Sequence, residues 1–458
     1  MTLLAGRIAE FAASLDLQST PAPVVNAARA SILHHLKIGR AAGALGDIPL
    51  SALVVEATGA RGTARVIGTG RRTTASTAAF VNGCLIHGSS LDDVYPAGAV
   101  HPGATVVPAA VAMGEAAGAT VDDVVRGVIA GYEVACALSD AATVAPGSRG
   151  FRAAALYGTI GAAAGASATA GADRRSVADA VSIAASFASG LTQTWTAGSR
   201  EWQFQLGAAA RGGVDAALLA EAGARGARDA LEGAQGFYAA FTGTAEVRPG
   251  ALAGLGSAWR LCEVVVKEHP AAGVLQGPIS AAVSARAAVQ GDGSVERVDL
   301  LLPSRALRIP GVQGRPPFAD LDPALMSASH CLAIALTAGR INLEDHIRSL
   351  TAGEALVEQR VHLREDPHLA DGEFVLQVEY AGGRIHRARG EQVVGLPHQS
   401  AETAAREIDR LGDGRSYPGL DRLCAVVVSG GWKSAAALID AVVGDNGGPA
   451  DADFSRLQ

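Results

Sequence analysis

Residues 87–108, HGSSLDDVYPAGAVHPGATVVP, join two apolar stretches, and the rest of the chain is read outward from them. Before them, Ser76 to Ile86 has the composition of a buried helix, and a second apolar helix is expected over about 104–118. Between lie adjacent carboxylates, Asp92 and Asp93, a Pro/Gly turn over 95–98, and His101-Pro102. Proline suits the first turn of a helix because its missing N–H has no intrahelical partner there, so His101 is expected at or just before a helix N-terminus. Burying charge is costly unless it is paired or solvated. Two readings stay open on this pattern alone. In one, the acids cap helix ends and His101 is a satisfied turn residue; in the other, the three form a site of proton chemistry.

The chain has 458 residues, enough for two or three domains. Alanine is abundant, aromatics are only 4% and there are 56 glycines, a composition for close helix–helix contact rather than a bulky aromatic core. Segments such as 154–172 are apolar, yet they are Ala/Gly/Ser-rich and lack basic flanks, so they read as interior helices and not membrane spans. Met1 to Leu15 lacks the pattern of a secretory signal, and five cysteines stand singly, as buried thiols of a reducing cytoplasm would. No CxxC or Cys/His pairing points to a metal. A net charge of −7 without a basic stripe argues against nucleic acid. The 38 basic residues include three lysines, Lys37, Lys267 and Lys433; a surviving lysine suits ammonium chemistry that guanidinium cannot do.

The fold class read along the chain is mainly α: a large all-helical domain with a second, smaller α+β lid. The expected divisions are 1–258 for the helical domain, 259–395 for the lid, and 396–458 for helices returning to the first domain. Two helices are expected in 1–40, with the His34-His35 pair facing a partner element, then a short helix and weak strand in 46–72. Helical periodicity covers 76–91, 104–118, 120–138, 153–171, 174–189 and 207–223. Beyond Gly250, strands are expected at 261–266, 294–302 and 357–364, helices at 275–289 and 323–338, and a hairpin over 374–380 and 384–390 turning at Gly382-Gly383. Further helices are expected at 400–411 and 418–443, with a frayed tail over 444–458. The glycines of 68–72 lack the strand–loop–helix context of a phosphate loop.

In order and spacing the chain resembles the MmgE/PrpD family, whose members include 2-methylcitrate dehydratase, cis-aconitate decarboxylase and iminodisuccinate epimerase. The resemblance is carried by His87 with Asp92-Asp93, His101-Pro102, Gly131-Tyr132-Glu133, GAAARGG at 207–213, Lys267 with His269-Pro270, Gln276, and Ser327 to His330. It implies an inter-domain cleft, a homodimer, and cofactor-free chemistry on small carboxylic acids. Departures matter as much. The family's His-x-x-Asp-x-Asp-Asp-Thr has Ser90 for its first Asp and Val94 for its Thr, with one residue added before His101. A family Lys-x-x-His becomes Trp202 and Gln205, a histidine becomes Arg152, and a lid tyrosine becomes His330.

The family's shared difficult step is a carbanion or enolate beside a carboxylate. Histidine suits the base or acid role, and a lysine suits a developing oxyanion in a dry site. The expected catalytic residues are therefore His101, Lys267, Asp93, His330 and His269. The expected substrate-binding residues are Asp92, Ser90, Val94, Arg152, Trp202, Gln205 and Gln276, with no metal and no cofactor. One of Asp92 and Asp93 would orient the His101 imidazole. Replacing a cation by indole at Trp202 points to a substrate less carboxylated and more apolar than methylcitrate or aconitate. The expected activity is a dehydratase or decarboxylase; an epimerase and a non-catalytic binding protein are the alternatives.

Overall fold

The computed structural model describes residues 3–44, 59, 61–67, 69–289, 293–318, 321–346, 348–393, 395–397 and 434–443. The expected helices at 400–411 and over most of 418–443, the tail, most of the short helix in 46–72, Cys424 and Lys433 lie outside the described residues.

The first part is helical: α1 (Leu4–Ser14), α2 (Ala22–Ala44), α3 (Ala75–Gly88), α4 (Pro102–Ala117), α5 (Val121–Ala141), α6 (Ala153–Thr169), α7 (Arg174–Phe187) and α8 (Glu201–Glu221). Small residues let these helices meet closely. A Cβ on Gly161 would lie 2.7 Å from the Gly131 carbonyl oxygen, so α5 and α6 approach backbone to backbone. The interface of α3, α4, α6 and α8 is mostly alanine, including Ala78, Ala109, Ala162 and Ala210. Thr120 caps α5 with Asp123 in a reciprocal capping box, satisfying donors that the first turn cannot bond internally. α8 begins six residues earlier than periodicity predicts, because Trp202 and Leu206 are both buried. The hairpin of β1 (Ala64–Arg65) and β2 (Arg72–Thr73) packs on this body.

A second apolar core gathers residues between Ala271 and Tyr380. Here β5 (Val295–Leu302) lies between β6 (Val361–Glu365), to which it runs parallel, and β7 (Glu373–Tyr380), which pairs with β8 (Arg384–Glu391). Along β7, buried Leu376, Val378 and Tyr380 alternate with part-exposed Gln377 and Glu379, so one face packs on α9 (Gln276–Ala287) and the other meets water. The chain is thus mainly α with a smaller α+β part.

Three expected elements differ. The strand over 261–266 shrinks to β4 (Val265–Val266) after a tight turn at Arg260–Glu263, because the Leu261 N–H donates to the buried Glu133 carboxylate, 2.9 Å away, instead of to a strand. The helix over 323–338 breaks at Ser327, whose hydroxyl accepts from the His330 N–H and donates to the Gly314 carbonyl; α10 (Ala328–Ala338) follows. The strand over 357–364 starts only at Val361, since Thr351 and Glu354 cap a helix over Ala352–Gln359.

The two cores are stitched by a small antiparallel sheet of β3 (Asp93–Val94), β4 and β9 (Leu396–Pro397). Finally, α11 (Ala436–Val443) sends Leu438 and Ile439 into the first core. No helix among the described residues is long and apolar enough to cross a membrane.

Candidate active site

The stitching sheet builds the site. Pairing of Asp93 with Val266 delivers the next residue, Lys267, to the loop between α3 and β3. Its ammonium donates to Asp92 Oδ1 at 2.7 Å, with the Ser90 carbonyl 3.4 Å away. Ser90 adopts the left-handed region at φ 55°, uncommon for a side chain with a Cβ, and its hydroxyl donates to the Ala271 carbonyl beyond Lys267. On the other side, Tyr95 and Val100 close the Pro/Gly turn and set His101 at the N-cap of α4, with Pro102 first in the helix.

Asp92 is the hub. Its Oδ2 lies 2.7 Å from His87 Nδ1 and 3.1 Å from His101 Nδ1. Both tautomers follow from the partners. A guanidinium can only donate, so Arg152 Nη2, 2.6 Å from His87 Nε2, makes that nitrogen an acceptor and puts the proton on His87 Nδ1. His101 Nδ1 faces the Asp93 carbonyl oxygen at 2.8 Å, which can only accept, so in the neutral ring Nδ1 carries the proton. His101 Nε2 has no hydrogen-bond partner among the described residues, and the ring lines a cavity. Burial pushes His87 down to about 3, against the pull of Asp92. Burial acts to raise Asp92, but the charges of Lys267, His87 and His101 hold it well below the usual carboxylate range.

Asp93 does not reach the cavity. One oxygen accepts from the Gly103 N–H at 2.9 Å, serving as a cap for α4 that His101 does not supply; the other accepts from the Tyr132 hydroxyl at 2.6 Å. Behind it, His35 Nε2 stands 3.5 Å from Asp93. Burial would lower His35, yet the Asp93 charge and hydrogen bond, with the Ser31 carbonyl, raise it on balance. Gly103 is obligatory here, since a Cβ would strike the His35 ring. The structure thus assigns Asp92 to the side-chain contacts and Asp93, expected to be catalytic, to the scaffold.

The cavity is about 620 Å³ and is lined from both cores. Among the expected residues, Ser90, Val94, His101, Arg152, Trp202 and Lys267 line it. The other expected residues are engaged elsewhere. Gln205 holds Arg152 and the Leu191 carbonyl. Gln276 accepts from the Glu268 and His269 N–H groups and donates to the His269 carbonyl, which fixes the Lys267 loop rather than a ligand. His269 bonds Ser280, and burial lowers it to about 4. His330 packs between Phe318 and His346 in the second core, also lowered to about 4 by burial. Neither imidazole lines the cavity.

Sequence reading gave no role to His87, Tyr157, Trp195, Arg248 or Arg305, all of which line it. Tryptophan scarcity was the available signal: two of four tryptophans are here. The replacement at Trp202 does not leave the cavity poor in cations, because Arg152, Arg248, Lys267 and Arg305 line it and, among the described residues, no carboxylate residue does. Arg152 is buried, donates to the Trp202 carbonyl at 2.5 Å and stands 5.1 Å over the Trp195 ring. Burial lowers it to about 10, leaving it charged at neutral pH.

His87, Asp92 and His101 offer donor atoms within 4.8 Å of one another, a spacing a metal ion can use. However, the Lys267 ammonium and the Arg152 guanidinium already sit against two of the three, and a dication would be repelled by both. The set fits proton transfer better than metal ligation.

Residues 6–250 match the MmgE/PrpD N-terminal domain. Cis-aconitate decarboxylase of Aspergillus terreus is 30% identical over 293 residues, 60% of this chain and 58% of the relative. Cis-aconitate decarboxylase-like protein oryM of Aspergillus oryzae is 29% identical over 292 residues, 60% of each. The matched stretch therefore spans less than two thirds of these curated relatives.

Proposed function

This chain belongs to the MmgE/PrpD family, and from that premise we propose that it is a lyase of the decarboxylase or dehydratase type acting on a small organic acid. The observation that carries this reading is the Asp92 hub: one carboxylate holds the Lys267 ammonium and, with the Asp93 carbonyl, the His101 Nδ1–H, so a ring nitrogen with no partner among the described residues stands at the cavity beside a fixed cation. In a decarboxylation, the C–C bond to the leaving carboxylate breaks and its electron pair passes into an enolate facing Lys267. A proton from His101 Nε2 then fills the carbon, and Asp92 stabilises the imidazolium beforehand. In a dehydration, His101 Nε2 takes the proton beside the carboxylate, the enolate forms against Lys267, and as the C–O bond breaks the leaving oxygen takes that proton back from the His101 imidazolium and departs as water.

Arg152 is the carboxylate anchor of this reading, a fixed planar fork in a dry wall. Phe151, Tyr157, Trp195 and Trp202 on one side, with Ile309, Leu325 and Met326 on the other, favour a substrate with a more apolar part than methylcitrate or aconitate, while the four lining cations can take more than one carboxylate. The kinship to decarboxylases over part of their length supports the reaction class.

The test is a panel of unsaturated, hydroxy and keto acids, followed for release of CO2 or water. Turnover that falls at least about a hundredfold in both His101→Ala and Lys267→Ala is expected. A wild type inert to the whole panel, or deuterium wash-in with no loss of CO2 or water, would overturn the lyase assignment.

A further inference from the structure

In the Gly131-Tyr132-Glu133 motif, Tyr132 supports Asp93, and its neighbour Glu133 holds a different part of the chain. Glu133 is fully buried in α5, and a buried carboxylate is costly unless something holds it. What holds it is the turn that leads into β4, whose Leu261 N–H donates to Glu133 Oε1 at 2.9 Å. Two turns along the same face of α5, Asp140 accepts from Arg260 Nε at 2.5 Å and, through both oxygens, from the Tyr95 hydroxyl at 3.1 Å. Arg260 belongs to the turn before β4, and Tyr95 follows β3. The two strands run antiparallel, with Val94 opposite Val265 and Asp93 opposite Val266, so α5 grips both at the same end. At the other end, two residues or about 7 Å away, Asp92 meets Lys267.

We propose that Glu133 is a positioning residue for Lys267. With Arg260 and Asp140 it fixes the far end of the β3–β4 pair on α5, and through that short lever it sets how closely the ammonium meets Asp92. The grip is half closed. Glu133 Oε2 and Arg260 Nη1 stand 3.9 Å apart, and among the described residues neither has a hydrogen-bond partner. Burial pushes the Glu133 carboxyl up to about 7, against the pull of the Leu261 and Arg260 N–H groups and of the Arg260 charge. The other titratable groups around it are Asp140 and Cys136 on α5, Cys262 and Glu263 in the turn, and Tyr95. Of the helices packed on α5, α6 carries no charged residue, Glu115 of α4 is held by Arg65, and His34 and His35 of α2 turn to Leu91 and Asp93. An ionised Glu133 attracts the guanidinium and a protonated one releases it, so the turn has two arrangements to exchange near neutral pH.

The test is nuclear magnetic resonance of the full chain with lysine labelled by carbon-13 at Cε. The chain has three lysines, so at most three signals appear, and Lys267→Met identifies the one to follow. The titration runs from pH 5.5 to 9 in the His101→Gln background, so that no second imidazole titrates against Asp92; burial holds His87 down to about 3. The Lys267 signal is expected to move in one step with its midpoint at about 7. Glu133→Gln keeps the shape and an oxygen for the Leu261 N–H, and the step is expected to vanish. Arg260→Gln removes the cation that holds Glu133 down, and the midpoint is expected to rise from about 7 to about 8 or above. A Glu133 that only fills space would leave the Lys267 signal without such a step. A flat Lys267 signal, a step that survives Glu133→Gln, or a midpoint unmoved by Arg260→Gln would overturn the proposal. If Glu133→Gln fails to fold, the midpoint in Arg260→Gln decides alone. No substrate enters the measurement, so an acid panel without turnover ends the lyase reading and leaves this one standing.

Discussion

Neutralising Asp92 without changing its shape exposes how the site is held. Asp92 is fully buried, Lys267 is 4% exposed, and their charges meet at 2.7 Å. In Asp92→Asn the ammonium loses its counter-charge, and the new amide must turn its N–H groups either toward Lys267, leaving that ammonium the Ser90 carbonyl 3.4 Å away, or toward the two imidazole Nδ1–H donors. Removing one partner of a buried pair costs about 3–5 kcal/mol, and that is the loss expected here. Lys267→Met leaves Asp92 with two imidazole N–H donors, so its cost is smaller, about 1–3 kcal/mol. The double variant buries neither charge. Its loss falls short of the sum of the single losses by about 2 kcal/mol or more, an interaction energy typical of direct contact. Urea unfolding at pH 7.5, followed by far-ultraviolet circular dichroism, reads all four corners of the cycle. Losses that add to within about 0.5 kcal/mol would mean that the pair is not coupled in solution, and the hub would be lost with it.

Other perturbations test the scaffold and the anchor. Tyr132→Phe removes a 2.6 Å hydrogen bond to the Asp93 carboxylate and is expected to cost about 1.5–3 kcal/mol in the same assay. Gly103→Ala drives a methyl group into the His35 ring; a loss of about 1–3 kcal/mol and failure to bind ligand are expected, and wild-type stability would refute the close approach. Arg152→Lys keeps the charge but not the fork, and KM for a substrate acid is expected to rise about tenfold or more with a smaller change in kcat. Acid lability has a definite sign. His87, His269, His330 and His346 are lowered to about 3, 4, 4 and 3, so the unfolded chain binds protons that the folded chain refuses. Their contribution to stability is present above about 6.5 and is lost as pH falls toward 3–4. His87→Gln should flatten that slope, and unfolding midpoints between pH 7.5 and 4.5 check it.

Much of this was legible in the chain because local rules sufficed. Pro102 fixed His101 at a helix start, Thr120 with Asp123 marked the head of α5, and alternation in VLQVEY gave the face of β7. Sequence could not divide labour between Asp92 and Asp93. They are adjacent, and successive residues of an extended segment point to opposite sides, so only the pairing of β3 with β4 decides which one meets Lys267. Gln276, His269 and His330 share a motif with the site but spend their hydrogen bonds or packing elsewhere, a matter of tertiary contact that spacing does not encode. Tyr157 and Trp195 carried no motif at all; the course of α6 and a short helix over Gln193–Ala197 bring them in.

Solvent deuterium tracing at the carbon beside the carboxylate, in recovered substrate and product, addresses the central claim most directly. The account predicts that the wild type exchanges or delivers one solvent hydron there, and that His101→Gln and Lys267→Met each slow this step by about a hundredfold or more while the fold is kept. Label entering at the wild-type rate in His101→Gln would contradict it.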